Sequence, residues 1–133
     1  MVARTSRFFL AVAALLSAAG GAIHAAAFAK ARTALTASNL PHFYLGSSKA
    51  LWLSDSATLL VVATILGLVA ARPLVSMRML MMLVALIPAS TAVLLYLFLG
   101  SFFAAHLLLL IAALSFCAGL GFSPGVPIHR TPR

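Results

Sequence analysis

Acidic side chains are almost missing from this chain. Asp55 is the only aspartate among 133 residues, and there is no glutamate. Charged residues of all kinds make up 8% of the sequence, whereas soluble domains carry about 25%. A chain with so few charged residues cannot supply the polar surface that a folded domain exposes to water. The composition therefore excludes an ordinary soluble domain.

Cysteine is equally scarce, because Cys117 is the only one. No disulfide and no pair of redox cysteines can form within the chain, and the Cys-rich zinc and iron–sulfur patterns are excluded. The sequence also has no Ser-His-Asp order, no nucleotide-binding loop and no HExxH stretch. We therefore expect no enzymatic activity and no cofactor.

Long apolar runs are what the chain has in abundance, since 64% of its residues are hydrophobic. A helix needs roughly 20 residues to cross a hydrocarbon core of about 30 Å. Four runs satisfy this length: Phe8–Ala29, Leu51–Ala71, Met79–Leu99 and Phe102–Gly121. The sequence predicts an all-α fold, a polytopic membrane protein with an antiparallel bundle of four transmembrane helices in one domain over residues 1–121.

The connections between spans predict which helices are neighbours. The third and fourth runs are separated only by Gly100 and Ser101, which indicates a tight turn between antiparallel helices. The short connection Arg72–Arg78 predicts that spans two, three and four are sequential antiparallel neighbours. Span one is then expected to complete the bundle by packing against the other spans, to which the longer segment Lys30–Ala50 connects it.

The segment Lys30–Ala50 is expected to be a loop outside the membrane. Ser38 to Pro41 has the composition of a helix stop and turn. Ser47 or Ser48 is expected to cap the second helix, because a serine hydroxyl accepts an otherwise unpaired backbone N–H. At the other end of the chain, residues 122–133 are expected to form an extended or disordered, Pro-rich basic tail in the cytoplasm.

Basic residues predict the orientation. With four spans, both termini and the loop between spans two and three lie on one side. That side holds six basic residues, namely Arg4, Arg7, Arg72, Arg78, Arg130 and Arg133, and the other holds Lys30, Arg32 and Lys49. Because cytoplasmic loops carry the excess of Lys and Arg, we expect a multi-pass protein of the cytoplasmic (inner) membrane with both termini in the cytoplasm.

The first span has a second interpretation. Arg4 and Arg7 precede an apolar run that ends in Ala27-Phe28-Ala29, a pattern typical of a cleaved secretory signal. The run is about 20 residues long, whereas a signal usually has about 7–15 apolar residues. We favour a retained helix, and cleavage stays open.

The net charge of +8 points to the membrane surface rather than to nucleic acid. The basic residues flank the spans and do not form one stripe, which is how membrane proteins bind anionic head groups. The expected partner is the lipid bilayer. Other membrane proteins, or further copies of the chain, are left open by the sequence.

Four polar side chains lie inside the spans: His24, Asp55, Tyr96 and His106. Each lies about three to five residues from the outer end of its span, which at 1.5 Å per residue places all four roughly 5–8 Å below the outer interface. Small residues share their helix faces, with Gly20 beside His24 and Ala92 beside Tyr96. The four side chains are therefore expected to converge in one polar layer.

Three interpretations of this layer remain. It could hold the helices together through polar contacts, which average about 0.6 kcal/mol in membranes. It could be a proton or ion site, as intramembrane ionisable groups often are. Two histidines and Asp55 could also bind a metal. We favour the first, hence a non-enzymatic accessory or structural component; the alternative is a small transporter or proton-coupled carrier.

Overall fold

The chain folds into four long helices and no strand within the residues that the computed structural model describes, 2–72 and 78–121, with side chains from residue 4 onward. Each helix is long and apolar enough to cross a membrane. The helices are α1 (Val2–Thr36), α2 (His42–Ala71), α3 (Arg78–Leu99) and α4 (Phe103–Leu120). The prediction of an all-α, four-helix transmembrane bundle is confirmed. The predicted tail, 122–133, lies outside the described residues.

The helices α1 and α2 are longer than predicted. They contain 35 and 30 residues, whereas α3 and α4 contain 22 and 18. The prediction of a loop over Lys30–Ala50 is wrong, because only residues 37–41 are non-helical there. For α1 the reason is local: alanine-rich sequence continues past the apolar run, and alanine is the best helix former whatever its surroundings.

A single contact shows how far α1 extends. Gly20 lies against the side chain of Leu107, near the beginning of α4. Sixteen residues of α1 follow Gly20, whereas four residues of α4 precede Leu107. The α1–α2 hairpin therefore extends about 12 residues, or about 18 Å, beyond the beginning of α4.

The turn between α1 and α2 is where the sequence placed it, but the predicted serine cap is wrong. Helix α2 begins directly after Pro41, whose backbone has φ −53°. Proline suits this position because its φ is fixed and a first-turn N–H has no helical partner. Ser47 and Ser48 lie inside α2, and the Ser47 hydroxyl donates to carbonyls one turn earlier, at 3.0 and 3.2 Å.

The bundle consists of two hairpins that meet through α1 and α4. Helix α1 packs along α2 and along α4, and α3 packs along α4, whereas α2 and α3 touch only over a short stretch. The predicted α3–α4 hairpin and the closing role of α1 are confirmed. The prediction that α2 and α3 are close neighbours is wrong, because a short connection brings two helix ends together without making their faces pack.

Glycine permits close approaches between neighbouring helices at two positions. A Cβ added at Gly21 of α1 would lie 3.2 Å from the Cβ of Leu59 and 3.2 Å from the carbonyl oxygen of Ser56 on α2. One added at Gly119 of α4 would lie 3.2 Å from the carbonyl oxygen of Arg78 on α3. Small residues mark the surfaces where membrane helices pack backbone to backbone. These two positions therefore set the spacing within each hairpin.

The two ends of the bundle are closed differently. At one end, Gly100 adopts φ 76°, a left-handed conformation that glycine accepts without strain, and this confirms the predicted turn between α3 and α4. At the opposite end, Nε of Arg7 donates to the carbonyl of Ala70 at 2.9 Å. The last carbonyls of a helix lack helical partners, so Arg7 satisfies one of them and joins the beginning of α1 to the end of α2.

The core is apolar, and its few hydroxyls are satisfied locally. The hydroxyl of Ser17 donates to the carbonyl of Ala13 at 2.8 Å, and that of Ser115 to the carbonyl of Ile111 at 2.8 Å. Within the described residues, no buried side-chain nitrogen or oxygen lacks a hydrogen-bond partner. The interior therefore offers no unpaired polar group to a ligand.

Candidate functional site

His24 lies at the centre of a polar cluster between α1 and α2. Its ring stacks on Trp52, with centroids 4.3 Å apart and planes inclined by 12°. Its Nδ1 lies 2.9 Å from Oγ of Ser56, and its Nε2 lies 3.9 Å from Oδ2 of Asp55. Positions 52, 55 and 56 share one helix face because they are three and four residues apart. We call these four residues the His24 cluster.

The hydrogen bonds of this cluster fix the tautomer of a neutral His24. The Ser56 hydroxyl also lies 3.2 Å from the carbonyl of Trp52. A hydroxyl has one proton to donate, so both bonds form only if His24 Nδ1 donates to Ser56 and Ser56 donates to Trp52. The Nε2 of the neutral ring then presents a lone pair toward Asp55. Protonation at Nε2 would replace this lone pair with an ion pair at 3.9 Å.

Trp52 contributes a second bond between the same helices. Its indole Nε1 donates to the backbone carbonyl of His24 at 2.8 Å. Tryptophan is enriched at membrane interfaces, so the sequence predicts no more than an interfacial position for Trp52, and Ser56 is not among the four polar side chains that it singles out. The spacing of Trp52, Asp55 and Ser56 on one face of α2 was the available signal, and it was missed.

A second polar cluster joins α3 and α4 next to their turn. The hydroxyl of Tyr96 lies 2.6 Å from Nδ1 of His106, and Oγ of Ser101 lies 3.1 Å from Nε2 of the same ring. The rings of Tyr96 and His106 meet edge to face, with centroids 5.5 Å apart. Both ring nitrogens are therefore hydrogen-bonded in either neutral tautomer, since each hydroxyl can donate or accept. We call these three residues the His106 cluster.

The four side chains expected in one layer form two separate pairs. His24 lies beside Asp55 in one hairpin, and Tyr96 lies beside His106 in the other. Across residues 4–72 and 78–121, no hydrogen bond or ion pair joins one pair to the other. The contact between Gly20 and the residue after His106 still places the pairs at similar heights. They share a level along the bundle axis without forming a connected network.

Both clusters are open to the surroundings. The side chains of His24 and Asp55 are 30% and 38% exposed, and His106 is exposed. Within the described part of the chain, no three His, Cys, Asp or Glu side chains lie close enough to bind a metal. The considered metal site of His24, Asp55 and His106 is therefore not assembled by these residues.

The chemistry available to the two clusters is hydrogen bonding and, when His24 is protonated, one ion pair with Asp55. Each cluster joins the two helices of a single hairpin, near the end of the bundle opposite to the chain's N-terminus. Comparison with protein-family models, with curated proteins and with solved structures finds no match to this chain. The four apolar helices make it a small multi-pass integral membrane protein.

Proposed function

We propose that the protein is a non-enzymatic accessory or structural component of its membrane, and that its two polar clusters hold the hairpins together. The observation that carries this proposal is that each cluster is satisfied within its own hairpin. The core between them is apolar, apart from serine hydroxyls. The buried polar side chains of the described residues are Ser6, Ser17, Ser56 and Ser115. A transport path would require polar groups connected across the bundle.

A second candidate is a small transporter or proton-coupled carrier. It is favoured by one observation, namely that the only acidic side chain in the sequence, Asp55, lies 3.9 Å from a histidine nitrogen. The pair lies at one end of the bundle and is partly exposed, so a carrier would have to open toward the other end as well. The accessory role requires no such rearrangement, and for that reason we prefer it.

Asp55→Asn tests the choice between these functions. The substitution removes the carboxylate that pairs with His24 when the ring is protonated. It keeps a polar side chain, so for the protonated ring we expect a loss of stability on the order of 0.6 kcal/mol, the average for polar contacts in membranes. Thermal unfolding in detergent measures this change, with His24→Gln as the matched partner variant. Any cellular phenotype should follow the amount of folded protein. A variant that unfolds like the native protein but has lost a pH-dependent activity would support the carrier instead.

We infer that both termini lie in the cytoplasm and that the membrane is a bacterial inner membrane. Two basic groups at opposite ends of the bundle support this orientation. Arg4, Arg7, Arg72 and Arg78 lie near one end, and Lys30, Arg32 and Lys49 lie on the extended α1–α2 hairpin. The end with more basic residues is expected on the cytoplasmic side. Retention of α1 is supported by its packing against both α2 and α4.

Reporter fusions test this orientation. A reporter that is active only outside the cytoplasm should be silent when fused after Arg72 or Arg133 and active when inserted at the turn 37–41. The fusion after Arg72 is the internal control, because it depends on two spans only. The reverse pattern would overturn the orientation. A mature protein that begins after Ala29 would show that α1 is cleaved.

A further inference from the structure

An apolar groove lies between α1 and α2, in the part of their hairpin that extends beyond α4. Its volume is about 530 Å³, within the range of about 300–1,000 Å³ that is usual for ligand pockets. Ala27, Ala31 and Ala34 line it from α1, Leu40 lines it from the turn, and Trp52 lines it from α2. We call this feature the apex groove.

The groove exists because alanine cannot fill the space between the two helices. Ala27, Ala31 and Ala34 are spaced by four and three residues, so they share the face of α1 that lines the groove. Trp52 is held in place on the opposite wall, because its ring stacks on His24 and its indole N–H is bonded to the His24 carbonyl. The His24 cluster therefore builds one wall of the apex groove.

The charge around the groove has one sign. Lys30 is among the lining residues, and Arg32 and Lys49 lie on the same hairpin. No acidic residue occurs between positions 25 and 54. Asp55, the single acidic side chain, lies 3.9 Å from Nε2 of His24. An occupant that complements this hairpin must be apolar in one part and anionic in another.

The position of the groove favours an occupant that comes from the bilayer. Trp52 lies at the junction between the apolar part of α2 and its polar beginning, and tryptophan is enriched at membrane–water interfaces. Lys30 lines the same groove, and a lysine can extend its ammonium group toward lipid head groups while its methylene groups stay on apolar surface. A second copy of the chain fits poorly, because a symmetric contact would bring two basic hairpins together.

We propose that the apex groove binds an anionic phospholipid. One acyl chain lies between the alanine face of α1 and Trp52, and the lipid phosphate pairs with Lys30. The lipid would occupy the space between the helix ends and hold the extended hairpin at the bilayer surface. This assignment is independent of the orientation of the protein and of any transport activity.

Trp52 is the only tryptophan in the chain, so its fluorescence reports on the groove directly. The full chain is reconstituted into phosphatidylcholine vesicles that contain a small fraction of acyl-brominated phosphatidylglycerol or, in parallel, of acyl-brominated phosphatidylcholine. Bromine quenches tryptophan on contact. We expect the anionic lipid to associate with Trp52 about fivefold more strongly, the attraction that one basic residue adds near a membrane surface.

Two substitutions and one matched control decide the assignment. Lys30→Gln should bring the preference for the anionic lipid close to one, whereas Arg32→Gln, at a residue that does not line the groove, should keep most of it. Ala31→Leu fills the groove and should reduce quenching by both lipids while the helical content stays unchanged. Equal quenching by the two lipids in the native protein would overturn the proposal. So would an unchanged preference in Lys30→Gln, or a Trp52 that neither lipid reaches.

Discussion

Gly21→Ala should destabilise the protein in detergent, whereas Gly20→Ala should leave its stability unchanged or raise it. The new methyl group at position 21 would lie 3.2 Å from both the Leu59 Cβ and the Ser56 carbonyl oxygen. These atoms belong to the backbone of α2 or adjoin it, so they can yield only if the helix moves. At position 20 the nearest atom is the end of the Leu107 side chain, at 3.6 Å, an ordinary contact.

Comparing Gly20→Ala with Gly21→Ala separates the effect of helix packing on stability from the effect of helix propensity. Both substitutions replace glycine with alanine in the same helix, which by itself favours the helix by roughly 1 kcal/mol. Any difference between them therefore comes from the contact with α2. Gly21→Leu increases the overlap and should lower the free energy of unfolding by about 1–3 kcal/mol, the usual cost of overpacking. Thermal unfolding followed by circular dichroism measures all three variants.

The same variants should have different effects on the fluorescence of Trp52. His24 lies one turn beyond Gly20 and Gly21 on α1, so a displacement of α2 at Gly21 separates His24 from Trp52. The fluorescence maximum of Trp52 should move to longer wavelength in Gly21→Leu and stay in place in Gly20→Ala. Equal loss of stability in Gly20→Ala and Gly21→Ala would contradict the close contact between α1 and α2.

Trp52→Ala is the second substitution with a large expected effect. It removes the stacking on His24, the indole hydrogen bond of 2.8 Å and one wall of the apex groove. Burial of a tryptophan in a core is worth about 3–5 kcal/mol, and Trp52 is only partly buried, so we expect a loss of about 2 kcal/mol. Trp52→Phe keeps a ring but loses the hydrogen bond, and it should cost about 1 kcal/mol.

Tyr44→Ala is the matched control, because Tyr44 lies on the same helix and is 59% exposed. Thermal unfolding should distinguish the variants, and limited proteolysis at residues 37–41 should show whether the hairpin has loosened. We expect cleavage to be faster in Trp52→Ala than in the native protein and unchanged in Tyr44→Ala. If Trp52→Ala were as well tolerated as the control, the His24 cluster would not hold α1 on α2.

The spans and turns could be predicted because they depend on local sequence. Four apolar runs and the Gly100–Ser101 break suffice to define four helices and one hairpin. The ends of α1 and α2 could not be predicted in the same way, because the end of an apolar run is not the end of a helix. Residues 30–36 and 42–50 keep helical backbone hydrogen bonds without needing an apolar environment.

The polar layer shows a different limit of sequence reasoning. The number of residues from the end of a span predicts height, and the two pairs do lie at similar heights. Partner choice depends on how each helix is rotated and on which helices pack together. The short connection after α2 suggested close packing with α3, but α1 and α4 instead join the hairpins. The His24 ring nevertheless lies against α2, and the His106 ring lies against α3, so each histidine has partners within its own hairpin.

The apex groove was not predictable from the sequence at all. Its lining residues are ordinary in a membrane helix, and its volume depends on the distance between two helices that the sequence does not specify. Among the lining residues, only Trp52 is informative in the sequence, because tryptophan is enriched at membrane–water interfaces. Its stacking on His24 becomes visible once α1 and α2 are placed side by side.

Proton movement in proteoliposomes tests most directly whether the clusters hold the bundle together rather than carry protons. Vesicles that contain the native protein, vesicles with Asp55→Asn and empty vesicles are loaded with a pH-sensitive dye and given the same pH gradient. If the clusters are structural, all three preparations should lose the gradient at the same rate. A faster loss with the native protein, abolished by Asp55→Asn while that variant stays folded, would contradict this function and establish the carrier.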